Sequence, residues 1–313
     1  MIRVFEPLLG KTEKRFINKS LTNGYISSSG PSVIQFENEW AQYCDRKYGV
    51  SVSNGTVALQ LALKILNLKK DDEIIMPSNT IISCAMAAVY NDLKIVPIDC
   101  KLNDWCIDEN LIEEKINKKT KAILFVNIFG HPCDIDKIKK IAKKYNLYVI
   151  EDAAESHGSK YKNKICGSFG DISTFSFYAN KLITTGEGGM LVMNDKKLYE
   201  KALYYRNLCF NSNQRFKHYD LGFNFRFTNL QADVGLAQMT KINFLIKKKI
   251  QIAKQYMFEF RNQNFFSFVK DRSWAFNTYW MFGIVIRNKK ITANSLIEKL
   301  KKFKIETRPF FYG

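Results

Sequence analysis

The chain has 313 residues, 46% of them apolar and 14% aromatic, which is enough to bury a large core and excludes a disordered chain; the length suits one large domain with a smaller appendage. A formal net charge of +18, from 48 Lys and Arg against 30 Asp and Glu, directs attention to nucleic acid, acidic membranes or phosphorylated small molecules as partners. The lysines are scattered in short clusters such as Lys69-Lys70, Lys139-Lys140 and Lys247 to Lys249, no nucleic-acid-binding motif accompanies them, and no apolar run has membrane-spanning length, so neither nucleic acid nor membrane is the expected partner.

Short apolar runs alternate with amphipathic stretches of helical period, the pattern of a mainly parallel sheet flanked by helices, hence an α/β fold. In chain order the pattern predicts a helix Val57 to Leu66, a strand Glu73 to Met76, a helix Ser83 to Tyr90, and strands Lys94 to Ile98 and Ala122 to Val126. A helix Asp136 to Tyr145 follows, then strands Leu147 to Glu151, Ile172 to Phe177 and Met190 to Met193, and a helix Lys196 to Arg206. Beyond Asn229 the order changes to long helices at Leu230 to Lys249 and Gln251 to Arg261, a strand Met281 to Ile286 and a helix Ala293 to Phe303. This predicts a large domain over 1–249 and a smaller C-terminal α+β domain over 250–313.

Seven cysteines without a C-x-x-C spacing, beside three histidines, predict free thiols and no metal site. The start MIRVFEPLLGK lacks the apolar core of a signal peptide, so the expected location is cytoplasmic.

Three segments carry candidate chemistry. In Asp171-ISTFSFYAN-Lys181-LITTGEGG, a lysine follows a Ser-bearing strand and precedes a glycine turn that lets backbone approach a ligand. A lysine held among apolar residues can lose its charge and attack a carbonyl, whereas one on a solvated loop cannot; the segment alone leaves both open. In LYVIEDAAESHG an apolar strand delivers Asp152 at its C-terminal end, where open α/β sheets bind ligands. A carboxylate there could keep a pyridine nitrogen protonated or merely cap a helix, while His157 reads as structural. In Val52-Ser-Asn-Gly55-Thr56 a small-residue turn opens a helix whose N–H groups can hold a phosphate.

These segments in this order, together with GFNFRFTNLQA, closely resemble the DegT/DnrJ/EryC1/StrS family of sugar aminotransferases, from about Gly24 onward. The resemblance implies a fold-type-I homodimer dependent on pyridoxal 5'-phosphate, with sites shared between subunits. Lys181 then matches the Schiff-base lysine and Asp152 the partner of the ring nitrogen. Gly55, Thr56 and Ser176 match the phosphate cradle, and Glu155 the polar residue near the ring hydroxyl. Asn224 and Arg226 match the stretch that reaches the neighbouring subunit's cofactor. Family members that dehydrate the sugar carry histidine in place of the lysine, so Lys181 implies amination, with L-glutamate as donor. Where the family commonly stacks an aromatic residue on the ring after Pro-x-x-Thr, this chain has Ile81 after Pro77-Ser-Asn-Thr80.

The closing Ile305-ETRPFF-Tyr312 and Phe129-Gly-His131-Pro132 resemble the members that act on GDP-4-keto-6-deoxymannose and make GDP-perosamine, with Arg308 and Phe310 on the substrate side. UDP- and dTDP-linked 4-keto-6-deoxy sugars are alternative acceptors of the same chemistry. Relatives continue past R-P-F-F-Y, so the small domain is expected to be truncated, and a non-catalytic sugar-nucleotide-binding protein is the alternative of another class.

Overall fold

A computed structural model describes every residue except 212, 213, 289, 312 and 313, so Tyr312 of the closing motif lies outside the described residues. The chain starts with helices α1 (Lys11–Asn23) and α2 (Pro31–Tyr43), then β1 (Tyr48–Val52), α3 (Gly55–Ile65), β2 (Glu73–Pro77), α4 (Ile82–Val89), β3 (Lys94–Ile98) and β4 (Thr120–Val126). It continues through α5 (Ile135–Tyr145), β5 (Tyr148–Asp152), the short β6 (Lys160–Tyr161) and β7 (Lys164–Ile165), β8 (Ile172–Ser176), β9 (Gly189–Met193) and α6 (Lys196–Arg206). The remainder is α7 (Asn229–Met239), α8 (Ile242–Phe260), β10 (Phe266–Ser267), β11 (Ala275–Phe276), β12 (Val285–Ile286) and α9 (Ala293–Lys302).

The central sheet has seven strands in the order β1-β9-β8-β5-β4-β2-β3. Pairing is parallel from β8 through β5, β4 and β2 to β3, and β9 alone runs against its neighbours β1 and β8. Successive strand residues face opposite sides of the sheet, and the cores follow that alternation. Ile74 and Leu124 enter one apolar cluster with α3 and α4, whereas Ile75, Ile123 and Phe125 enter another with α5. On β9, Leu191 joins the α3 side while Met190 and Val192 join a third cluster with Phe36 and Trp40 of α2. Both faces are therefore covered, as a parallel sheet requires.

Register places the functional edge. Val126 lies opposite Asp152, and Asp152 opposite Thr174, so the C-terminal ends of β4, β5 and β8 form one rim. Because β8 and β9 are antiparallel neighbours, no crossover helix has to join them, and their connection over 177–188 lies free at that rim.

Helices α1 and α2 and strand β1 were absent from the sequence pattern. Strand β1 is short, contains Gly49, and is defined by its ladder with β9, a non-local partner. The helix break expected at Ile250 lies instead at Thr240-Lys241, where the Thr240 hydroxyl donates to the Ala237 carbonyl at 2.7 Å and ends α7. Helix α8 runs unbroken through 250, so the expected division at 249/250 falls inside one helix. The expected strand Met281 to Ile286 shrinks to Val285–Ile286, paired with β10. Its approach is bent at Tyr279, whose φ is +50° and whose N–H donates to Asn277 Oδ1 at 2.8 Å.

Candidate active site at the rim of the sheet

Alternation along β5 gives its two last carboxylates different surroundings. Glu151 points into the fold, where its oxygens accept from the Gly167 and Phe169 amides, Ser173 and Asn127. Asp152 points to the rim and is buried, its Oδ1 accepting the Ala154 N–H at 3.0 Å and its Oδ2 accepting the Cys84 thiol at 3.3 Å. Burial pushes the Asp152 carboxyl above the usual range, while hydrogen bonds from Ala154 and Cys84 and the charge of Lys181 work the other way.

The start of α3 forms a cradle against β8 and β9. Asn54 caps the helix by accepting the Val57 N–H at 3.0 Å, which leaves the first amides and the positive end of the helix dipole available to an anion. The absence of a side chain at Gly55 is required, since a Cβ there would lie 2.7 Å from Cβ of Ser176. A Cβ on Gly189 would meet the Asn54 carbonyl oxygen at 2.3 Å. The Thr56 hydroxyl pairs with Ser83 Oγ at 2.8 Å, and Ser176 Oγ accepts the Tyr178 N–H at 3.3 Å. Gly55 and Ser176 thus lie side by side, and with Thr56, grouped with them by sequence reading, they line one cavity.

Lys181 lies in the β8–β9 connection, its amide donating to the Tyr178 carbonyl at 2.8 Å. The side chain is buried, with Nζ 3.9 Å from Glu155 Oε1 and 3.8 Å from the centroid of the Trp280 ring; the solvated-loop alternative is removed. Burial holds the ammonium below its ordinary pKa, against the pull of Glu155 and Asp152. Burial likewise raises the Glu155 carboxyl to about 7, opposed by Lys181 and by the Phe129 N–H, which donates to Oε2 at 2.8 Å. The site therefore holds an amine and a carboxyl group both shifted toward their neutral forms.

These residues line one cavity of about 1740 Å³ that also takes in Ile81, Arg308 and Phe310. Ile81 is partly exposed and starts α4. Phe310 packs on Trp105 and Phe129, at 4.9 and 4.7 Å between centroids, giving the cavity an aromatic wall. Arg308 is largely exposed and lies 3.4 Å from Glu306. Asn224 and Arg226 do not line the cavity; they bond each other at 2.8 Å on the surface, in a segment anchored by the Ser53 N–H to the Phe225 carbonyl. His157 is structural as expected: it is buried among Trp40, Phe175 and Phe177, which lowers its pKa to about 3. Sequence reading missed Cys84, Ser83 and Trp280. A thiol inside an apolar helix and a tryptophan inside an apolar run carry no local signal, and their importance comes only from what tertiary packing sets beside them.

The model of the DegT/DnrJ/EryC1/StrS aminotransferase family matches residues 7–313. A GDP-perosamine synthase of Escherichia coli O157:H7 is 43% identical over 99% of this chain and 85% of its own length. Another, of Vibrio cholerae, is 36% identical over 100% of this chain and 85% of its own. Among solved structures, an E. coli GDP-4-keto-6-deoxy-D-mannose-3-dehydratase with bound hydrated PLP superposes with a TM-score of 0.93 at 26% identity, covering 99% of this chain and 85% of that one. No helix among the described residues is long and apolar enough to cross a membrane.

Proposed function

Since this chain belongs to the DegT/DnrJ/EryC1/StrS aminotransferase family, we propose that it moves an amino group from L-glutamate to the 4-keto carbon of GDP-4-keto-6-deoxymannose, giving GDP-perosamine, with pyridoxal 5'-phosphate as cofactor. The observation that carries this reading is the burial of Lys181 between Glu155 and the rim that ends in Asp152. The choice of sugar nucleotide is supported by the activity named for the relatives at 43% and 36% identity.

The residues present fit the cofactor. Gly55, Thr56 and Ser176 would hold its phosphate at the start of α3, in a cradle that a Cβ at position 55 would fill. Asp152 would hold its ring nitrogen, Glu155 would stand near its ring hydroxyl, and Ile81 would lie against the ring. When bound, pyridoxal phosphate supplies an aldehyde for an amine and a ring that accepts electrons while its nitrogen is protonated. Asp152 would keep a proton at that nitrogen through a charge-assisted hydrogen bond, which its burial would strengthen. Lys181 Nζ, once neutral, takes a proton from Cα of the amino donor and later gives one to C4 of the acceptor sugar. Burial, which lowers its pKa, favours the neutral form that accepts the proton. The wall of Trp105, Phe129 and Phe310 excludes water from one side of the cavity. Arg308 supplies a cation for the diphosphate of the substrate.

Asn224 and Arg226, on the surface and away from their own cavity, support a homodimer in which each subunit completes the other's site. The seven free thiols fit a reducing, cytoplasmic location.

The test offers the purified protein glutamate with GDP-, UDP- and dTDP-linked 4-keto-6-deoxy sugars in parallel and detects the amino sugar by mass. Amination of the GDP-linked sugar at the highest kcat/KM is expected. Preference for a UDP- or dTDP-linked sugar would overturn the choice of nucleotide, and amination of none would overturn the reading.

A further inference from the structure

Trp280 stands in the connection between β11 and β12 and is 7% exposed. Three contacts fix it. Its indole N–H donates to the carbonyl of Asn180, the residue before Lys181, at 2.7 Å. Its own carbonyl accepts from Lys249 Nζ of α8 at 2.9 Å, and its ring makes a T-shaped contact with Phe129 at 5.7 Å between centroids and 72°. Lys181 Nζ lies over the Trp280 ring, 3.8 Å from its centroid.

The other groups that bear on this amine are the carboxylates of Glu155, at 3.9 Å and just after β5, and of Asp152, which ends β5, together with Cys84 of α4 and the neutral His157. Among the described residues Nζ makes no hydrogen bond; its partners are one carboxylate at ion-pair distance and one aromatic face. Such a face attracts an ammonium without engaging its hydrogens in directed bonds. A lysine that must alternate between covalent attachment and proton transfer needs a resting place of this kind, defined in position and easily left.

On the aminotransferase reading given above, we propose that Trp280 is a positioning residue for Lys181: its ring face holds the free amine beside Asp152 and Glu155, and its bond to Asn180 ties that face to the lysine's own loop. Attraction to the ring favours the charged amine, so it opposes the effect of burial and raises the pH at which Lys181 loses its proton.

The experiment reads that pH in the cofactor-free protein, by competitive acylation of lysines followed by mass spectrometry of the Lys181 peptide. Trp280→Leu keeps the site apolar and removes the face; the midpoint for Lys181 is expected to fall by about one pH unit, a roughly tenfold change in the ratio of charged to neutral amine at a given pH. A ring-fluorinated tryptophan at position 280 keeps shape and N–H while weakening the face, and is expected to give an intermediate midpoint, which also serves if the Leu variant does not fold. Trp280→Phe, with its smaller face, is expected to stay nearer the wild type. An unchanged midpoint with the fluorinated residue would overturn the proposal, since a purely structural role survives that replacement. Failure of the wild-type protein to take up pyridoxal phosphate would count against the aminotransferase reading alone and leave the midpoints to decide the role of Trp280.

Discussion

Glu155 shows how one buried side chain can make stability depend on pH. Its carboxyl keeps its proton up to about pH 7 in the folded chain, whereas an ordinary carboxyl at 4.5 has lost it well before. Between those values the folded state binds more protons than the unfolded one, so stability falls as pH rises through that window. Glu155→Gln keeps an acceptor for the Phe129 N–H and removes the titration. Denaturant unfolding of the cofactor-free protein should find variant and wild type alike near pH 4 and the variant more stable near pH 8, by an amount on the order of 3 kcal/mol. Equal pH profiles would show that Glu155 ionises freely. That Lys181 and Asp152 belong to one site was legible in sequence because each stands at a fixed place in a long string of residue types, and both line the same cavity. Trp280 was not, because its separation from Asn180 by 100 positions leaves no local pattern to read.

At the scale of elements, the rim depends on close backbone approach. Helix α3 can start beside β8 only because Gly55 and Gly189 present no side chain to Ser176 and Asn54. Gly55→Ala should cost about 1–3 kcal/mol of stability through overpacking and weaken phosphate-dependent uptake of cofactor at least tenfold, measured by thermal melts and by titration with pyridoxal phosphate. Gly186→Ala is the comparison: its φ is +84° but nothing lies within 4 Å of a Cβ there, so strain of about 1 kcal/mol is expected without loss of uptake. Elements with a buried apolar period, such as β4, β5 and α5, were readable from sequence. Those whose identity depends on partners were not: β1 exists through its ladder with β9, and the strand expected over Met281 to Ile286 is mostly given to lining the cavity. The halt between α7 and α8 falls at Thr240-Lys241, where the local mark is a threonine hydroxyl bonded to the Ala237 carbonyl, too small a signal against the long apolar pattern that surrounds it.

At the scale of the whole molecule, two features bind distant parts of the chain into the site. The first residues cross the cavity: Ile2 N–H donates to the Lys304 carbonyl at 2.7 Å and the Ile2 carbonyl accepts from Glu306 at 2.8 Å, holding the segment that carries Arg308 and Phe310. Asn224 and Arg226 look outward, which the dimer reading explains as contributions to the neighbouring site. A mixture of Lys181→Ala and Arg226→Ala chains, each inactive alone, should then regain activity in hybrid dimers, to roughly a quarter of the wild-type rate at equal mixing because one of four sites is whole. Hybrids without activity would show that each subunit's site is self-contained.

The most direct measurement is the visible absorbance of the purified protein with pyridoxal phosphate, before and after L-glutamate is added, beside Lys181→Ala as control. The account predicts a yellow protein whose colour bleaches with glutamate, and a Lys181→Ala protein that does neither. Bleaching of the Lys181→Ala protein at the wild-type rate, or a wild-type protein that never turns yellow, would contradict it.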